Sequence, residues 1–204
     1  MNDIVVQAFV TLDGVVQSVG GPDEDRDGGF DLGGWQGDRD LGDLVLDWES
    51  RTEALLLGRR TYEIWSSYWP FADQSDATPF GDLARRYNRV PKRVASRTLS
   101  DLTWQGAELL GPDLPAAVAA LRSELSAAGT SPEGEIRLWG STGLIKSLAE
   151  HDLVDEYRLV VYPIVLGRGK RLFAEGFPTS TLAQVSSEAL PSGVTVSTYR
   201  RGGA

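Results

Sequence analysis

The sequence predicts an α/β fold in three layers: a mostly parallel, mixed sheet with helices on both faces and an antiparallel hairpin at its C-terminal end. Three observations predict it. Apolar runs of strand length alternate with segments of helical period along the chain, the pattern of a parallel sheet covered on both sides. Glycine turns at 58 and 140–143 each stand between a strand and a helix. Two strand-like segments, about 181–188 and 194–200, flank Pro191-Ser192-Gly193 with nothing helical between them. A chain of 204 residues suits one core, so 1–204 is expected to form a single domain with a glycine-rich loop insertion at about 17–37.

Ile4–Val10 reads as the first strand, buried on both faces apart from Gln7. The 17–37 segment has Gly at 20, 21, 28, 29, 33, 34 and 37 and acids at 23, 24, 25, 27 and 31. It is a long loop, with the acidic run 23–27 solvated. Its Phe30 and Trp35 argue against disorder, because aromatics seek something to pack on. Leu41, Leu44, Val45 and Trp48 have amphipathic-helix spacing. Ala54–Leu57 is a strand, Gly58 a tight turn and 61–68 a helix, followed by a loop at 70–80 and a helix over 82–89. Arg93–Ala95 is a strand, and Thr103–Leu110 holds one or two short ones. Asp113 caps a helix with Pro115 in its first turn and a core face of Leu114, Ala117, Val118, Leu121 and Leu125. Ile136–Trp139 is a strand, 144–150 a helix, and Tyr157–Tyr162 a strand. His151, between Glu150 and Asp152 at a helix end, reads as structural.

Composition excludes several chemistries. With no cysteine and one histidine there is no disulfide, thiolate zinc site, iron–sulfur cluster or multi-histidine metal site, and no metal is expected. The charge of -9 argues against nucleic acid, and no basic run offsets it. No apolar run reaches the roughly 18 residues of a membrane span, and the start lacks a secretory pattern, so a cytoplasmic protein is expected.

Two familiar phosphate fingerprints, G-x-G-x-x-G and G-x-x-x-x-G-K-[ST], are missing. Four strand ends stand out instead. At Gly58-Arg59-Arg60-Thr61, glycine permits close approach of a ligand to the backbone, the helix start offers free N–H groups, and the side chains add charge-assisted donors. Close packing of Gly58 beside solvated arginines fits equally. Gly140-Ser141-Thr142-Gly143 offers a second such helix start, or an ordinary N-cap. Ser96-Arg97 is either an adenosine-phosphate clamp or a polar strand end. Thr11-Leu12-Asp13-Gly14 is either a plain turn or a strand end that turns into a pocket lid. Two glycine turns at the ends of strands in one parallel sheet suit a ligand with more than one phosphate, such as a dinucleotide.

In this order, Thr11–Gly14, Leu56–Tyr62, Val94–Arg97, Leu138–Leu144 and Asp155–Gly167 resemble the dihydrofolate reductase-like superfamily. The chain is most similar to stand-alone relatives of the reductase domain of the bifunctional riboflavin-biosynthesis deaminase/reductase. The resemblance spans nearly the whole chain. It implies NADPH as cofactor, with Gly58, Arg59, Arg60 and Thr61 on phosphates, Ser96 and Arg97 near the adenosine 2′-phosphate, Gly140, Ser141, Thr142 and Gly143 around the pyrophosphate, and Val15 and Val16 walling the nicotinamide. Asp13 is the candidate catalytic acid, and Gly14, Trp35 and Asp43 the candidate substrate contacts. A homodimer is implied as well.

The chain departs from the family in two respects. With no cysteine and one histidine, the His/Cys/Cys zinc site of the deaminase half is not expected in this sequence. The position of the carboxylate that dihydrofolate reductase carries in its first helix falls on Gly42, beside Asp43, so folate reduction is not expected. The expected reaction is hydride transfer to a C=N or C=O bond of a small pteridine- or pyrimidine-like heterocycle. The proton comes from Asp13, an acid of the 38–48 helix, or water. The rivals are a non-catalytic nucleotide-binding protein and an oligomerising structural protein; the latter leaves both glycine turns unexplained.

Overall fold

The structure, a computed structural model, describes residues 2–75 and 78–202. Met1, two positions of the 70–80 loop and the last two of the Gly-Gly-Ala end lie outside the described residues. Among the described residues the strands are β1 (Asp3–Thr11), β2 (Thr52–Gly58), β3 (Lys92–Ala95), β4 (Ala107–Leu109), β5 (Glu135–Trp139), β6 (Glu156–Tyr162), β7 (Leu182–Ala189) and β8 (Thr195–Arg201). They form one sheet in the order β4-β3-β2-β5-β1-β6-β8-β7. Every pair from β4 to β6 is parallel; β8 pairs antiparallel with both β6 and β7. The helices are α1 (Leu44–Glu49), α2 (Arg59–Ser66), α3 (Pro79–Arg89), α4 (Leu114–Ala127) and α5 (Thr142–Ala149). This is the predicted three-layer α/β fold with its terminal hairpin.

Strand alternation sorts the layers. Ile4, Val6 and Ala8 of β1, Ala54 and Leu56 of β2, and Ile136 and Leu138 of β5 face α4 and α5, where Val118, Leu121, Leu125, Ile145 and Leu148 close the core. The opposite face carries two clusters. Leu55 and Leu57 of β2 pack with Tyr62, Tyr87 and Trp104, and Trp48 of α1 packs with Val160 and Tyr162 of β6.

Between those clusters the sheet buries charge. Arg158 grips Glu135 through two bonds, 2.7 and 3.0 Å. Arg137 also bonds Glu135, and Arg51 reaches it at 3.1 Å. Arg158 Nε bonds Glu156 at 2.6 Å, and Arg200 bonds the same carboxylate at 2.9 Å. The network ties β5 to β6 and β6 to the hairpin.

Several expectations need correction. Gln7 is not an exposed exception on β1; it is wholly buried, between Arg158 and Trp139 in register, and its amide has no hydrogen-bond partner among the described residues. Leu41 stands outside α1, because Gly42 at φ 57° breaks the helical run. α2 begins at Arg59 and ends at Ser66, earlier than expected at both ends. α3 begins at Pro79, where Thr78 accepts a bond from Gly81 N, not at 82. Asp113 caps α4 as expected, accepting from Ala116 N at 3.0 Å. His151 lies exposed in the turn after α5.

Lys92 of β3 is fully buried, its amine bonded to the carbonyls of Asn88 (3.0 Å) and Gln105 (2.9 Å) beside the Trp104 ring. Burial pulls its pKa down to about 8. Between pH 8 and the ordinary lysine range the native protein gives up a proton that the unfolded chain keeps, so stability rises with pH there. Urea titrations between pH 7.5 and 9.5 should show a gain on the order of 1–2 kcal/mol, allowing for screening. Lys92→Met should remove it; an unchanged slope in the variant would assign the rise to other groups.

Candidate active site

The two glycine turns come together. β2 and β5 are parallel neighbours, so Gly58 and Gly140 end adjacent strands. Ser141 joins them. Its hydroxyl accepts from Gly58 N at 2.8 Å and lies 2.7 Å from the Thr61 hydroxyl. A Cβ on Gly58 would meet that hydroxyl at 2.7 Å, so only glycine fits there without displacement. Gly140 needs its glycine for a different reason: its φ is 51°, in the left-handed region, and Ser141 follows at 59°.

The helix starts differ in capping, and α1, like these two turns, begins without a side-chain cap. α3 and α4 are capped by Thr78 and Asp113. α2 and α5 have no side-chain cap. Their first-turn N–H groups point out of two neighbouring helix ends with no partner from a capping side chain, which is the arrangement that attracts phosphate. The Ser141 hydroxyl thus serves first to hold the two turns together. The β3 end lies next to β2, with Ala95 in register with Gly58. There Ser96 Oγ accepts from Thr98 N (3.2 Å) and Leu99 N (2.9 Å), which makes it a turn former. Arg97 is exposed, and no ion pair engages it among the described residues.

Both arginines of the α2 turn are engaged. Arg59 meets Glu63 at 2.9 Å. Arg60 meets Asp27 at 2.6 Å and Glu63 at 3.5 Å.

Asp13 is not placed as a proton donor. The Thr11 hydroxyl donates to it at 2.7 Å, Gly167 N at 2.8 Å and Leu166 N at 3.2 Å, with Arg171 at 3.3 Å. The Thr11 bond first, and then the backbone bonds, pull its pKa down to about 2. The carboxylate is therefore ionised at neutral pH, and it pins the 11–15 turn to the 166–171 segment. Gly14 (φ 85°) makes that turn. Val15 is wholly buried: a Cβ on Gly169 would lie 2.8 Å from both Val15 and Phe30. Val16 is half-buried beside it.

Asp43 does not reach this region through any contact among the described residues. It is exposed just before α1 and caps nothing. The buried acid of α1 is Glu49, which sequence reasoning missed. It accepts from Trp139 Nε1 at 3.0 Å and Thr52 Oγ1 at 2.8 Å, with Arg137 Nε at 3.4 Å. That fixes the indole of Trp139, the last residue before the Gly140 turn. Trp139 meets Phe9 edge-on at 5.2 Å and Trp65 of α2 at 6.1 Å. Phe9 meets Tyr162 at 5.9 Å, and Tyr162 meets Trp35 at 5.4 Å. An aromatic wall therefore runs along the carboxyl ends of β5, β1 and β6, beside the two glycine turns. A surface groove of about 560 Å³ lies elsewhere, between α1 and α3 at Asp47, Asp82, Arg86 and Arg89.

The 17–37 loop is firmly held. Phe30 and Trp35 are buried, and Trp35 Nε1 donates to Gln17 O at 2.8 Å. The acidic run is not simply solvated. Lys170 pairs with Asp25 (2.6 Å) and Asp27 (2.8 Å), and Arg168 pairs with Asp31.

Comparison with known proteins bears on the family and the fold. Residues 2–196 match the family described as the RibD C-terminal domain. The protein YyaP of Bacillus subtilis (strain 168) is 28% identical over 204 residues, covering 98% of this chain and 95% of its own length. A pyrimidine reductase-like protein from Corynebacterium diphtheriae superposes with a TM-score of 0.62 at 14% identity, covering 100% of this chain and 93% of the other. Dihydrofolate reductase from Enterococcus faecalis, solved with NADP(H), gives 0.53 at 16% identity, covering 98% and 97%.

Proposed function

The chain belongs to the RibD C-terminal domain family, and on that premise we propose that it is an NADPH-dependent reductase acting on a small pteridine- or pyrimidine-like heterocycle. One observation carries the reading: two uncapped helix starts, tied by Ser141, stand next to an aromatic wall at the same strand ends. Phosphates fit the first-turn N–H groups of α2 and α5, with Gly58, Thr61, Gly140, Thr142 and Gly143 keeping the approach open. Arg97 suits the adenosine 2′-phosphate. When bound, the cofactor supplies the hydride. The chain's own part is to orient the substrate and exclude water. Phe9, Trp65 and Trp139, all half-buried, offer flat apolar surface to a heterocycle. Trp35 and the Gly14 turn border that surface, and Val16 is the residue of its pair able to wall the nicotinamide. With Asp13 ionised and Glu49 saturated by its donors, water is the proton source this reading favours.

The whole of 1–204 is read as one reductase domain with the 17–37 insertion, cytoplasmic in keeping with an NADPH enzyme. No helix among the described residues is long and apolar enough to cross a membrane. We also read the assembly as a homodimer, because edge strand β7 is exposed along nearly its whole length, Val185 included. Light scattering showing a monomer at micromolar concentration would refute the dimer.

Calorimetric titration tests the cofactor. NADPH should bind roughly tenfold to a hundredfold more tightly than NADH, the value of one charge-assisted phosphate contact. Arg97→Ala should bring the two together. Equal affinities in the parent protein would refute the assignment. Turnover of pteridines, pyrimidines or flavin precursors, read as loss of nicotinamide absorbance, separates a reductase from a nucleotide-binding protein without catalysis.

A further inference from the structure

We propose that Asp27 is a displaceable internal counter-ion: it holds Arg60 until a phosphate-bearing ligand takes its place, so that ligand binding at the α2 turn releases part of the 17–37 loop. The proposal rests on the reading of Gly58–Thr61 as a phosphate site. The geometry is that of an anion between two cations from separate segments. One Asp27 oxygen lies 2.6 Å from Arg60 Nη2 and the other 2.8 Å from Lys170 Nζ. Arg60 belongs to the first turn of α2, whose N–H groups are uncapped. The loop carboxylate thus sits on the side chain that a ligand phosphate at that helix end would engage.

Asp27 is well placed to move. It lies in a short 3-10 turn with Gly28 and Gly29 at positive φ, and its side chain is about half exposed (46%). The Lys170 bond first, and then the charges of Lys170 and Arg60, hold its carboxyl below the usual range, so it stays ionised. Lys170 does not depend on it alone, since Asp25 pairs with the same amine at 2.6 Å. The loop has further anchors, two of them on Asp25 and Asp27 themselves. Gln17 Nε2 donates to the carbonyls of Asp25 (3.1 Å) and Asp27 (3.0 Å), Lys170 N donates to Gln17 Oε1 (3.0 Å), and Phe30 packs on Gly169. Losing the Arg60 contact therefore frees the Asp27 side chain and the Gly28-Gly29 turn beside it, while Gln17 and Lys170 still hold Asp25 and Trp35 keeps its bond to Gln17 O. A groove of about 300 Å³ already opens at that tip, between Asp27, Gly28 and Phe30 on one side and Arg168 and Lys170 on the other.

The coupling makes opposite predictions for the two partners of the exchange. Asp27→Asn removes the competitor, so NADPH should bind roughly two- to fivefold more tightly at low salt, the worth of one exposed ion pair. The gain should fade at high salt. In the parent protein, NADPH or inorganic phosphate should raise amide hydrogen exchange at 25–29. In Asp27→Asn that exchange should be high from the start and unmoved by either. Asp31→Asn, which frees only Arg168, is the control and should leave NADPH affinity unchanged. Weaker NADPH binding by Asp27→Asn would mean that Asp27 orients Arg60 for the ligand, and would overturn the proposal. So would 25–29 exchange in the parent protein that phosphate leaves unchanged. If NADPH binds neither protein, the cofactor reading falls, and the phosphate arm decides the exchange on its own.

Discussion

Glu135→Ala should cost about 3–5 kcal/mol of stability, the typical penalty for breaking a buried ion pair. The expectation rests on three guanidiniums meeting one buried carboxylate. Arg158 holds it with two bonds, and Arg137 and Arg51 complete the shell. Arg137 is fully buried and Arg158 nearly so, so neither can turn to water when the acceptor goes. At this chain length each kcal/mol lowers the melting temperature by roughly 2–4 °C, so a fall of about 6–20 °C should be seen by calorimetry. Asp31→Asn, on an exposed pair, should cost less than about 1 kcal/mol. A loss below about 1 kcal/mol in Glu135→Ala would show that solvent reaches the network.

Gly58→Ala should weaken NADPH binding at least tenfold, about 1.4 kcal/mol or more, while leaving the fold intact. Gly58 has φ -77° and ψ 163°, which alanine adopts without strain, so the effect is steric. The new methyl would lie 2.7 Å from Ser141 Oγ and 2.9 Å from Ser141 Cβ. A side chain as short as serine cannot swing both atoms clear, so the two turns must part. Overpacking of this kind costs typically 1–3 kcal/mol of stability. Ser141→Gly removes the opposing atoms and suits φ 59°. The double variant should therefore bind NADPH better than Gly58→Ala alone. If the second substitution instead adds to the loss, the turns are not coupled through Ser141.

The layers were legible in the residues because one physical signal dominates each of them. Short runs rich in apolar residues marked β1, β5 and β6, and Asp113 with Pro115 marked the start of α4. The proximity of Gly58 to Gly140 followed from parallel topology, but their bond through Ser141 did not, since 83 positions separate Ser141 from Gly58. Asp13 was misread for the same reason: three of its partners, Leu166, Gly167 and Arg171, come from a segment more than 150 positions away. Glu49 escaped notice because an acid one residue past Trp48 looks like a solvated helix end. Its partners Trp139 and Arg137, both from β5, make it an inside residue. The acidic run 23–27 looked like loop polarity because the cations it serves, Arg60 and Lys170, lie on other elements. Local pattern specifies elements; the pairing of charges across elements is a property of the assembled sheet.

The place of β1 in the sheet has a consequence in time. It lies between β5 and β6, and Asn2 at its start reaches across 132 positions to the carbonyl of Gly134. At ordinary translation speeds, β1 emerges on the order of ten seconds before either neighbour exists. Through that interval Ile4, Val5, Val6, Ala8 and Val10 have no sheet to join, although all are buried in the finished protein. A nascent chain stalled before position 135 should therefore be held by chaperones or aggregate. Refolding from denaturant should be slow and sensitive to concentration, as expected when the central strand must wait for distant partners.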